Sequence, residues 1–518
     1  AGADADRGLR GLCLAGHEGR PAKLTGSCFA ETGGPAYSNI TTIESKTVLH
    51  VSTRGEAPAL SFSDALLAGL ARDGGLYVPK TWPAMPQAEI AGFSGKPYAA
   101  VAERVIGALS DGDIESKALG AMIGEAYASF RHPAVCPLVQ LGDNLFLLEL
   151  FHGPTLAFKD VAMQLLGRMM DHVLAIRGER ATIIGATSGD TGGAAIDAFK
   201  GLSRVDVFIL YPQGRVSEVQ RRQMTTVEAD NVHAIAVEGT FDDCQNLVKA
   251  LFNHHAFRDS IGLSGVNSIN WARIAAQVVY YFTSAVALGA PARKVSFAVP
   301  TGNFGDVLAG YVAKRMGLPI ERLMIGTNSN DILARTLESG VYEMRGVWAT
   351  TSPAMDIQIS SNFERLLFEA HGRDGAAVRR LMQSLQQSGR FEIAPGPLAT
   401  IRGEFDAMAV TEAEVAAEIG ATQRNAGYLL DPHSAIGVLA ARRGLAADPS
   451  MPVIALGTAH PAKFPTAVKA ASGIVPKLPE HLADLMERRE RFTLLPNSQA
   501  EIEDFVRETA RAVRGAAA

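Results

Sequence analysis

Short apolar runs that end in glycine-rich or polar turns recur along the chain from about residue 137. The predicted strands are residues 145–150, 181–186, 205–210, 232–237, 295–299, 323–326 and 453–456. Stretches with apolar positions at helical spacing follow them, and the predicted helices are residues 159–176, 190–200, 216–224, 241–252 and 306–316. This alternation indicates α/β architecture, a parallel sheet with helices on both faces. Ligands of such sheets bind in the turns at the carboxyl ends of the strands.

The same patterns divide the chain into four predicted regions. Residues 1–46 show no sustained period and lack the apolar run of a signal peptide, so we expect a disordered or non-native leader. Residues 47–141 are mainly helical, with helical spacing at 64–72 and 99–109. Residues 142–478 form the catalytic α/β core, and the charged segment 479–518 is predicted to be helical.

A charge-free stretch, residues 274–292, has the length of a membrane span. Polar residues and a proline interrupt it, namely Gln277, Tyr280, Tyr281, Thr283, Ser284 and Pro291. We therefore interpret it as a buried core helix and expect no membrane association.

Composition excludes several classes of protein. The 518 residues include 49 Lys and Arg against 54 Asp and Glu, a net charge of −5, which does not favour nucleic-acid binding. The four cysteines form no C-x-x-C pair and the chain has no H-E-x-x-H, so no metal site is predicted and a cytoplasmic location fits. Glycine is frequent, at 51 residues, and its placement matters more than its number.

Three turns that follow predicted strands are rich in glycine, hydroxyl or small residues. Residues 185–193 and 300–306 both lead into predicted helices, where backbone N–H groups and the helix dipole favour an anion. A tight turn with Asp190 or Thr191 as the helix N-cap is the weaker alternative for the first motif, and Asp306 is expected to cap the helix after the second. In the third turn, 457–464, Thr458 is the better candidate for a cofactor contact, since turn histidines such as His460 are more often structural.

The most informative residue is a lysine at the start of a predicted helix. Lys159 lies among apolar neighbours, and a helix N-terminus is an unfavourable place for a structural cation. A partly desolvated lysine has a lowered pKa and becomes a Schiff-base nucleophile, although a lysine whose stem alone is buried remains the alternative. Such a lysine and a separate phosphate-binding turn on one parallel sheet suggest pyridoxal phosphate.

Several motifs together resemble one family. H-G-P-T-L-A-F-K-D at 152–160, A-T-S-G-D-T-G-G-A at 186–194 and P-T-G-N-F-G-D at 300–306 are similar to the threonine synthase family in its longer bacterial and fungal form. Four further segments are similar to the same family: residues 51–55, residues 73–79, V-E-G-T-F-D-D-C-Q at 237–245 and N-S-I-N-W-A-R at 267–273. The resemblance extends from about residue 49 to residue 486 in the family's order and leaves out the first 46 residues.

The resemblance implies a fold and a reaction. The fold is the type II pyridoxal-phosphate fold of the tryptophan synthase β family, two parallel-sheet subdomains preceded by a mainly helical N-terminal domain. The reaction eliminates phosphate from O-phospho-L-homoserine and adds water to give L-threonine. A monomer or homodimer in the cytoplasm is expected.

The resemblance also assigns residues to roles. Lys159 binds the cofactor covalently, moves protons during catalysis and is the catalytic residue. The remaining cofactor contacts are Asp190 near the 3′ oxygen, Thr458 at the pyridine nitrogen, and Gly302, Asn303, Phe304, Gly305 and Asp306 at the phosphate. The substrate contacts are Thr187, Ser188 and Thr191 for the carboxylate, and Asn267, Ser268 and Arg273 for the phosphate. Since many relatives have Asn where Asp190 stands, and Asp only accepts hydrogen bonds, its contact to the 3′ oxygen is an open question.

Three other functions compete with this one. A phospholyase would release 2-oxobutyrate from the same substrate. A serine or threonine dehydratase would not need the phosphate site around Arg273. A binding protein that had lost catalysis would not need Lys159 and Thr458.

Overall fold

The computed structural model describes residues 48–514. The predicted leader, residues 1–46, lies outside the described residues. Within residues 48–514, the predicted fold class is confirmed: two sheets built mainly of parallel strands, covered by helices and preceded by a largely helical region.

The first region combines an antiparallel strand pair with helices. Its elements are β1 (His50–Ser52), α1 (Phe62–Ala68), β2 (Tyr77–Pro79), α2 (Gln87–Ala91), α3 (Tyr98–Ser110) and α4 (Ser116–Tyr127). The helix expected to reach residue 72 ends at Ala68, because Gly69 takes a positive φ of 65° and donates its N–H to Ala65 O. The strand pair was not predicted.

The remaining elements alternate between strands and helices. The strands are β3 (Leu138–Gly142), β4 (Leu145–Glu149), β5 (Ala181–Ala186), β6 (Val205–Pro212), β7 (Val232–Glu238), β8 (Leu263–Ser264), β9 (Val295–Pro300), β10 (Ile320–Thr327), β11 (Val341–Glu343), β12 (Arg390–Glu392), β13 (Phe405–Ala409), β14 (Val453–Gly457) and β15 (Thr493–Pro496). The first helices are α5 (Lys159–Arg177), α6 (Asp190–Phe199), α7 (Glu218–Thr225), α8 (Phe241–Asn253), α9 (His255–Ser260), α10 (Trp271–Ala287), α11 (Gly305–Arg315) and α12 (Ile332–Ser339). The later helices are α13 (Phe363–Ala370), α14 (Gly375–Ser388), α15 (Pro395–Glu404), α16 (Glu412–Ala426), α17 (Pro432–Ala447), α18 (Pro465–Ser472), α19 (Gln499–Thr509) and α20 (Arg511–Arg514).

The larger sheet has six strands in the order β13-β10-β9-β14-β4-β3. Its strands are parallel except β3, which pairs antiparallel with β4. Strands β9 and β14 are buried along their whole length, as expected of parallel strands covered on both faces. The β3–β4 hairpin crosses the predicted domain boundary at residue 141, and the boundaries themselves stay predictions.

The second sheet has five parallel strands in the order β15-β7-β6-β5-β8. Its edge strand β15 comes from the segment 479–518, so the prediction that this segment is helical was wrong for these four residues. A strand this short gives no period in the sequence, and its pairing with β7 is a tertiary contact.

The charge-free stretch forms most of α10, which packs against α3, α5 and α11. Nearly all of its residues are buried, so the interpretation as a core helix is confirmed. No helix among residues 48–514 is long and apolar enough to span a membrane.

Candidate functional site

The lysine turn joins β4 to α5. Lys159 is the first residue of α5 and is buried. The turn is fixed to the one after β14: Phe158 N donates to Thr458 O at 2.9 Å, and Ala157 pairs with Ala459. Parallel neighbours β4 and β14 end side by side, so the lysine turn and the turn 457–464 meet at this edge of the sheet.

Lys159 shares a buried carboxylate with a second lysine. Its Nζ lies 3.3 Å from Asp190 Oδ2, at the start of α6. Asp190 Oδ1 is 2.8 Å from Lys463 Nζ and accepts from Gln220 Nε2 at 2.8 Å. All four side chains are buried. The carboxylate of Asp190, at the start of α6, thus contacts side chains from α5, from α7 and from the turn 461–463.

Electrostatics in this cluster follow from burial and charge. Burial lowers the pKa of Lys159, and Lys463 and Arg273 lower it further, while Asp190 opposes them. Burial alone would raise the pKa of Asp190, but the charges of Lys463 and Lys159 hold it well below its ordinary value. Lys159 therefore gives up its proton more readily than an exposed lysine, as the sequence suggested.

The turn between β9 and α11 is built to receive an anion. The described residues offer no hydrogen-bond acceptor to the backbone N–H groups of residues 302–306. These groups lie at the N-terminus of α11, where the helix dipole favours negative charge. A Cβ on Gly302 would meet Ala354 O at 3.0 Å, so glycine is needed for this close approach. The turn fits a phosphate group.

Asp306 does not cap the helix, so that prediction was wrong. Phe304, at a left-handed φ of 65°, occupies the cap position, and Asp306 lies within the first turn. Its Oδ1 accepts hydrogen bonds from the hydroxyls of Tyr280 at 2.5 Å and Tyr281 at 3.0 Å. Burial raises the pKa of Asp306 to about 6, although both hydroxyls lower it.

The turn between β5 and α6 is held together by its own threonine. Thr187 Oγ1 accepts from Gly189 N at 3.0 Å and Gly192 N at 2.9 Å. Gly189, not Asp190 or Thr191, is the residue before the helix. Thr191 and Ser188 are half-buried and stand beside it. The lone pairs of the Thr187 hydroxyl are thus taken up within the turn.

Both backbone polar groups of Thr458, the N–H and the carbonyl, form hydrogen bonds. Its N–H donates to Ser434 Oγ at 3.1 Å and its carbonyl accepts from Phe158 N. Nearby, His460 Nδ1 accepts from Ala462 N at 3.2 Å, and burial lowers the pKa of His460 to about 4. A neutral His460 that stabilises the turn 461–463 agrees with the structural interpretation.

The predicted substrate-phosphate residues lie at the start of α10. Arg273 is buried, its Nη1 donates to Val266 O at 3.3 Å, and its Nε has no partner among the described residues. Burial lowers the pKa of Arg273 to about 10. Asn267 is exposed and Ser268 half-buried. A buried guanidinium with a free donor is suited to bind an anionic ligand.

One amide joins the two predicted phosphate sites. Asn362 Nδ2 donates to Ser268 O at 3.2 Å and to Asn303 O at 3.0 Å. Sequence reasoning missed Asn362, and also Gln220 and Lys463. For Lys463 a signal existed, since it lies in the turn 457–464, whereas Gln220 lies inside α7 and Asn362 directly before α13, where nothing in the sequence marks them.

Family models match nearly all of the described chain. "Threonine synthase N terminus" matches residues 49–127, "Pyridoxal-phosphate dependent enzyme" matches 136–457, and "Threonine synthase, C-terminal" matches 434–506.

Named relatives agree with the models. Threonine synthase of Pseudomonas aeruginosa is 54% identical over 461 residues, which covers 88% of this chain and 97% of that protein. Threonine synthase of Saccharomyces cerevisiae is 44% identical over 493 residues, covering 87% and 96%. The crystal structure of PLP-bound threonine synthase from Brucella melitensis is 65% identical, has a TM-score of 0.88, and covers 89% of this chain and 99% of that one.

Proposed function

The chain belongs to the threonine synthase family, an enzyme family that uses pyridoxal phosphate, and from that premise we propose its reaction and the roles of its residues. The enzyme is a carbon–oxygen lyase that converts O-phospho-L-homoserine and water to L-threonine and phosphate. One observation carries the proposal: Lys159 is buried within electrostatic range of the buried Arg273 and of Asp306, and the backbone N–H groups of residues 302–306 have no acceptor among the described residues. A cytoplasmic monomer or homodimer remains our expectation.

The first group of residues holds the cofactor. Lys159 binds its aldehyde carbon, and the backbone N–H groups of residues 302–306 bind its phosphate. Thr458 contacts the ring nitrogen, and Asp190 lies near the 3′ oxygen. When bound, pyridoxal phosphate supplies an electron sink for a carbanion at the substrate's Cα.

A second group binds the substrate. Arg273 binds the phosphate of O-phospho-L-homoserine with its planar guanidinium, supported by Asn267 and Ser268. The substrate carboxylate is held by Ser188, Thr191 and the hydroxyl proton of Thr187, whose oxygen already accepts two bonds within the turn. Asn362 keeps the two phosphate sites at a fixed separation.

Lys159 also moves protons. Its lowered pKa leaves more of the amine neutral near pH 7, so it can take a proton from Cα and deliver it elsewhere on the substrate. A second proton then leaves Cβ and phosphate departs from Cγ. One proton is returned to Cγ, the hydroxyl of water adds at Cβ, and a proton is returned to Cα. The burial of Lys159 keeps bulk water from its nitrogen.

The test is product stoichiometry. Purified enzyme incubated with pyridoxal phosphate and O-phospho-L-homoserine should release L-threonine and phosphate in equal amounts, measured by mass spectrometry and a phosphate assay. Borohydride should attach the cofactor to the peptide that contains Lys159, and Lys159→Ala should abolish both results. If 2-oxobutyrate replaces threonine, the enzyme is a phospholyase and the proposal fails.

A further inference from the structure

Asp190 lies between two buried ammonium groups, and the two lysines are held differently. Lys463 is fully buried and its Nζ donates to Thr155 O at 2.6 Å besides its 2.8 Å contact with Asp190 Oδ1. Lys159 meets the other oxygen, Oδ2, at the longer distance of 3.3 Å and has no second hydrogen bond among the described residues. One lysine is thus anchored twice, and the other only once and weakly.

We propose that Lys463 is a positioning residue, a permanent counter-ion of Asp190 that allows Lys159 to leave this carboxylate and react. The proposal rests on the function proposed above, in which Lys159 is the reactive amine.

The physical argument starts from the cost of an unpaired buried charge. A carboxylate removed from water must be paired or protonated, and breaking a buried pair is strongly destabilising. Without Lys463, Asp190 would keep Lys159 as its single ion-pair partner among residues 48–514, and the pair would hold Lys159 in its charged, unreactive form. With Lys463 present, Asp190 keeps a partner when Lys159 moves away.

Other charges face Lys159 but do not replace Lys463. Arg273 on α10 lowers the pKa of Lys159, and Asp306 on α11 interacts with it at longer range. His433 on α17 acts on Asp190 electrostatically, without a hydrogen bond to it. Among the described residues only the two lysines form ion pairs with Asp190.

Lys463 also connects the turns around the site. Through Thr155 O it reaches the lysine turn, where Thr155 N and Oγ1 both donate to Asp160, the residue after Lys159, at 2.7 and 2.6 Å. On its backbone side, Lys463 O accepts from Ser217 Oγ at 3.3 Å, at the N-cap of α7. Gln220, on the same helix, donates to Asp190. The ammonium therefore sits where three elements meet.

The test measures the pKa of the Lys159 amine in the full-length protein after pyridoxal phosphate has been removed. The amine is acetylated with trace acetic anhydride across a pH series, and the Lys159 peptide is quantified by mass spectrometry. No substrate or turnover is involved, so a failure here is distinguishable from a failure of the proposed reaction.

In the Lys463→Met variant, Lys159 should be acetylated about ten times more slowly near pH 8, because each unit of raised pKa lowers the neutral fraction about tenfold. Lys463→Arg keeps the charge and should stay within about threefold of the wild-type rate. Lys314→Met removes an ion pair with Glu404 elsewhere and serves as the matched control, with no change.

Two further variants keep the proposal falsifiable if Lys463→Met does not fold. Asp190→Asn should speed acetylation of Lys159 near pH 7, because two ammonium groups then face each other without a carboxylate. The double variant Asp190→Asn/Lys463→Met should return to within about threefold of wild type, since no unpaired charge is left. A wild-type rate in Lys463→Met, slower acetylation in Asp190→Asn, or a double variant as slow as Lys463→Met would each overturn the proposal.

Discussion

Arg273 and Lys159 are cations that the fold removes from water, and each keeps a donor for a ligand. Burial lowers the pKa of both side chains. Within residues 48–514, the Nε of Arg273 has no hydrogen-bond partner, and the ammonium of Lys159 has a single, long hydrogen bond. A buried donor without a partner costs free energy, so such groups persist where a ligand repays the cost.

Arg273→Ala should therefore separate substrate use from cofactor binding. The loss of a charge-assisted hydrogen bond predicts a kcat/KM for O-phospho-L-homoserine about 10- to 100-fold lower. The dissociation constant of pyridoxal phosphate should change less than about threefold, measured by absorbance titration. Equal losses in both quantities would mean that Arg273 does not bind the substrate phosphate.

Burial also lowers the pKa of a residue outside the candidate site, His50. It is buried at the start of the first strand pair, with the rings of Phe62 and Trp271 beside it, and burial lowers its pKa to about 4. Between pH 6.5 and 4 the unfolded chain binds a proton at this residue that the folded protein does not. The free energy of unfolding should thus fall as the pH drops, by up to about 3 kcal/mol from this residue.

The variant His50→Phe should lose that part of the pH dependence. The measurement is urea unfolding of wild type and variant at pH 7 and pH 5, compared as a difference. Exposed His255→Gln is the control and should follow the wild type. A parallel pH dependence in His50→Phe and wild type would contradict the assignment.

At the scale of elements, the site is made of turns that follow parallel strands. The turns after β4, β5, β9 and β14 carry Lys159, the hydroxyl groups, the N–H groups proposed to bind phosphate, and Thr458. Two glycines make contacts that a side chain would not allow: a Cβ on Gly192 would lie 2.5 Å from Thr187 Cγ2 of the same turn, and one on Gly302 would lie 3.0 Å from Ala354 O. The small residues therefore set the positions of whole turns.

Gly302→Ala tests this statement. Its Cβ would lie 3.0 Å from Ala354 O, a backbone atom that cannot rotate away, so the turn or the segment 353–355 must move. Overpacking of this kind costs roughly 1–3 kcal/mol, and we expect pyridoxal phosphate to bind about tenfold more weakly. Gly403→Ala, where the new Cβ meets no atom within 4 Å, should bind as wild type does. Unchanged binding of pyridoxal phosphate in Gly302→Ala would contradict the proposal that the turn 302–306 binds the cofactor phosphate.

At the scale of the molecule, the C-terminal segment completes the second sheet. Strand β15 covers the edge of β7, and Ile502 and Val506 of α19 are fully buried in a cluster with Phe208 and Val237. A covered edge strand is protected from pairing with other chains. The end of the described chain thus contributes to the core of the sheet that carries Asp190.

Ile502→Ala should lower the free energy of unfolding by about 2–5 kcal/mol, the usual cost of a cavity in a core. Leu494→Ala, on β15 but 46% exposed, is the matched control and should cost less than about 1 kcal/mol. Urea unfolding followed by circular dichroism gives both values. Equal effects would mean that α19 does not pack as described.

The sequence alone determined the parallel α/β architecture, the placement of the turns and the desolvated setting of Lys159. These are local properties, since the period of apolar residues reports which side of an element is buried and glycine reports a close approach. Only the tertiary structure decided that Lys463 pairs with Asp190 and that Asn362 joins Ser268 to Asn303. Those partners lie far apart in the chain, and the packing of helices and sheets, which periodicity does not specify, brings them together. For the same reason the sequence predicts helix at β15, whose strand conformation depends on pairing with the distant β7. It also predicts a helix cap at Asp306, whose carboxylate instead accepts hydrogen bonds from the distant hydroxyls of Tyr280 and Tyr281.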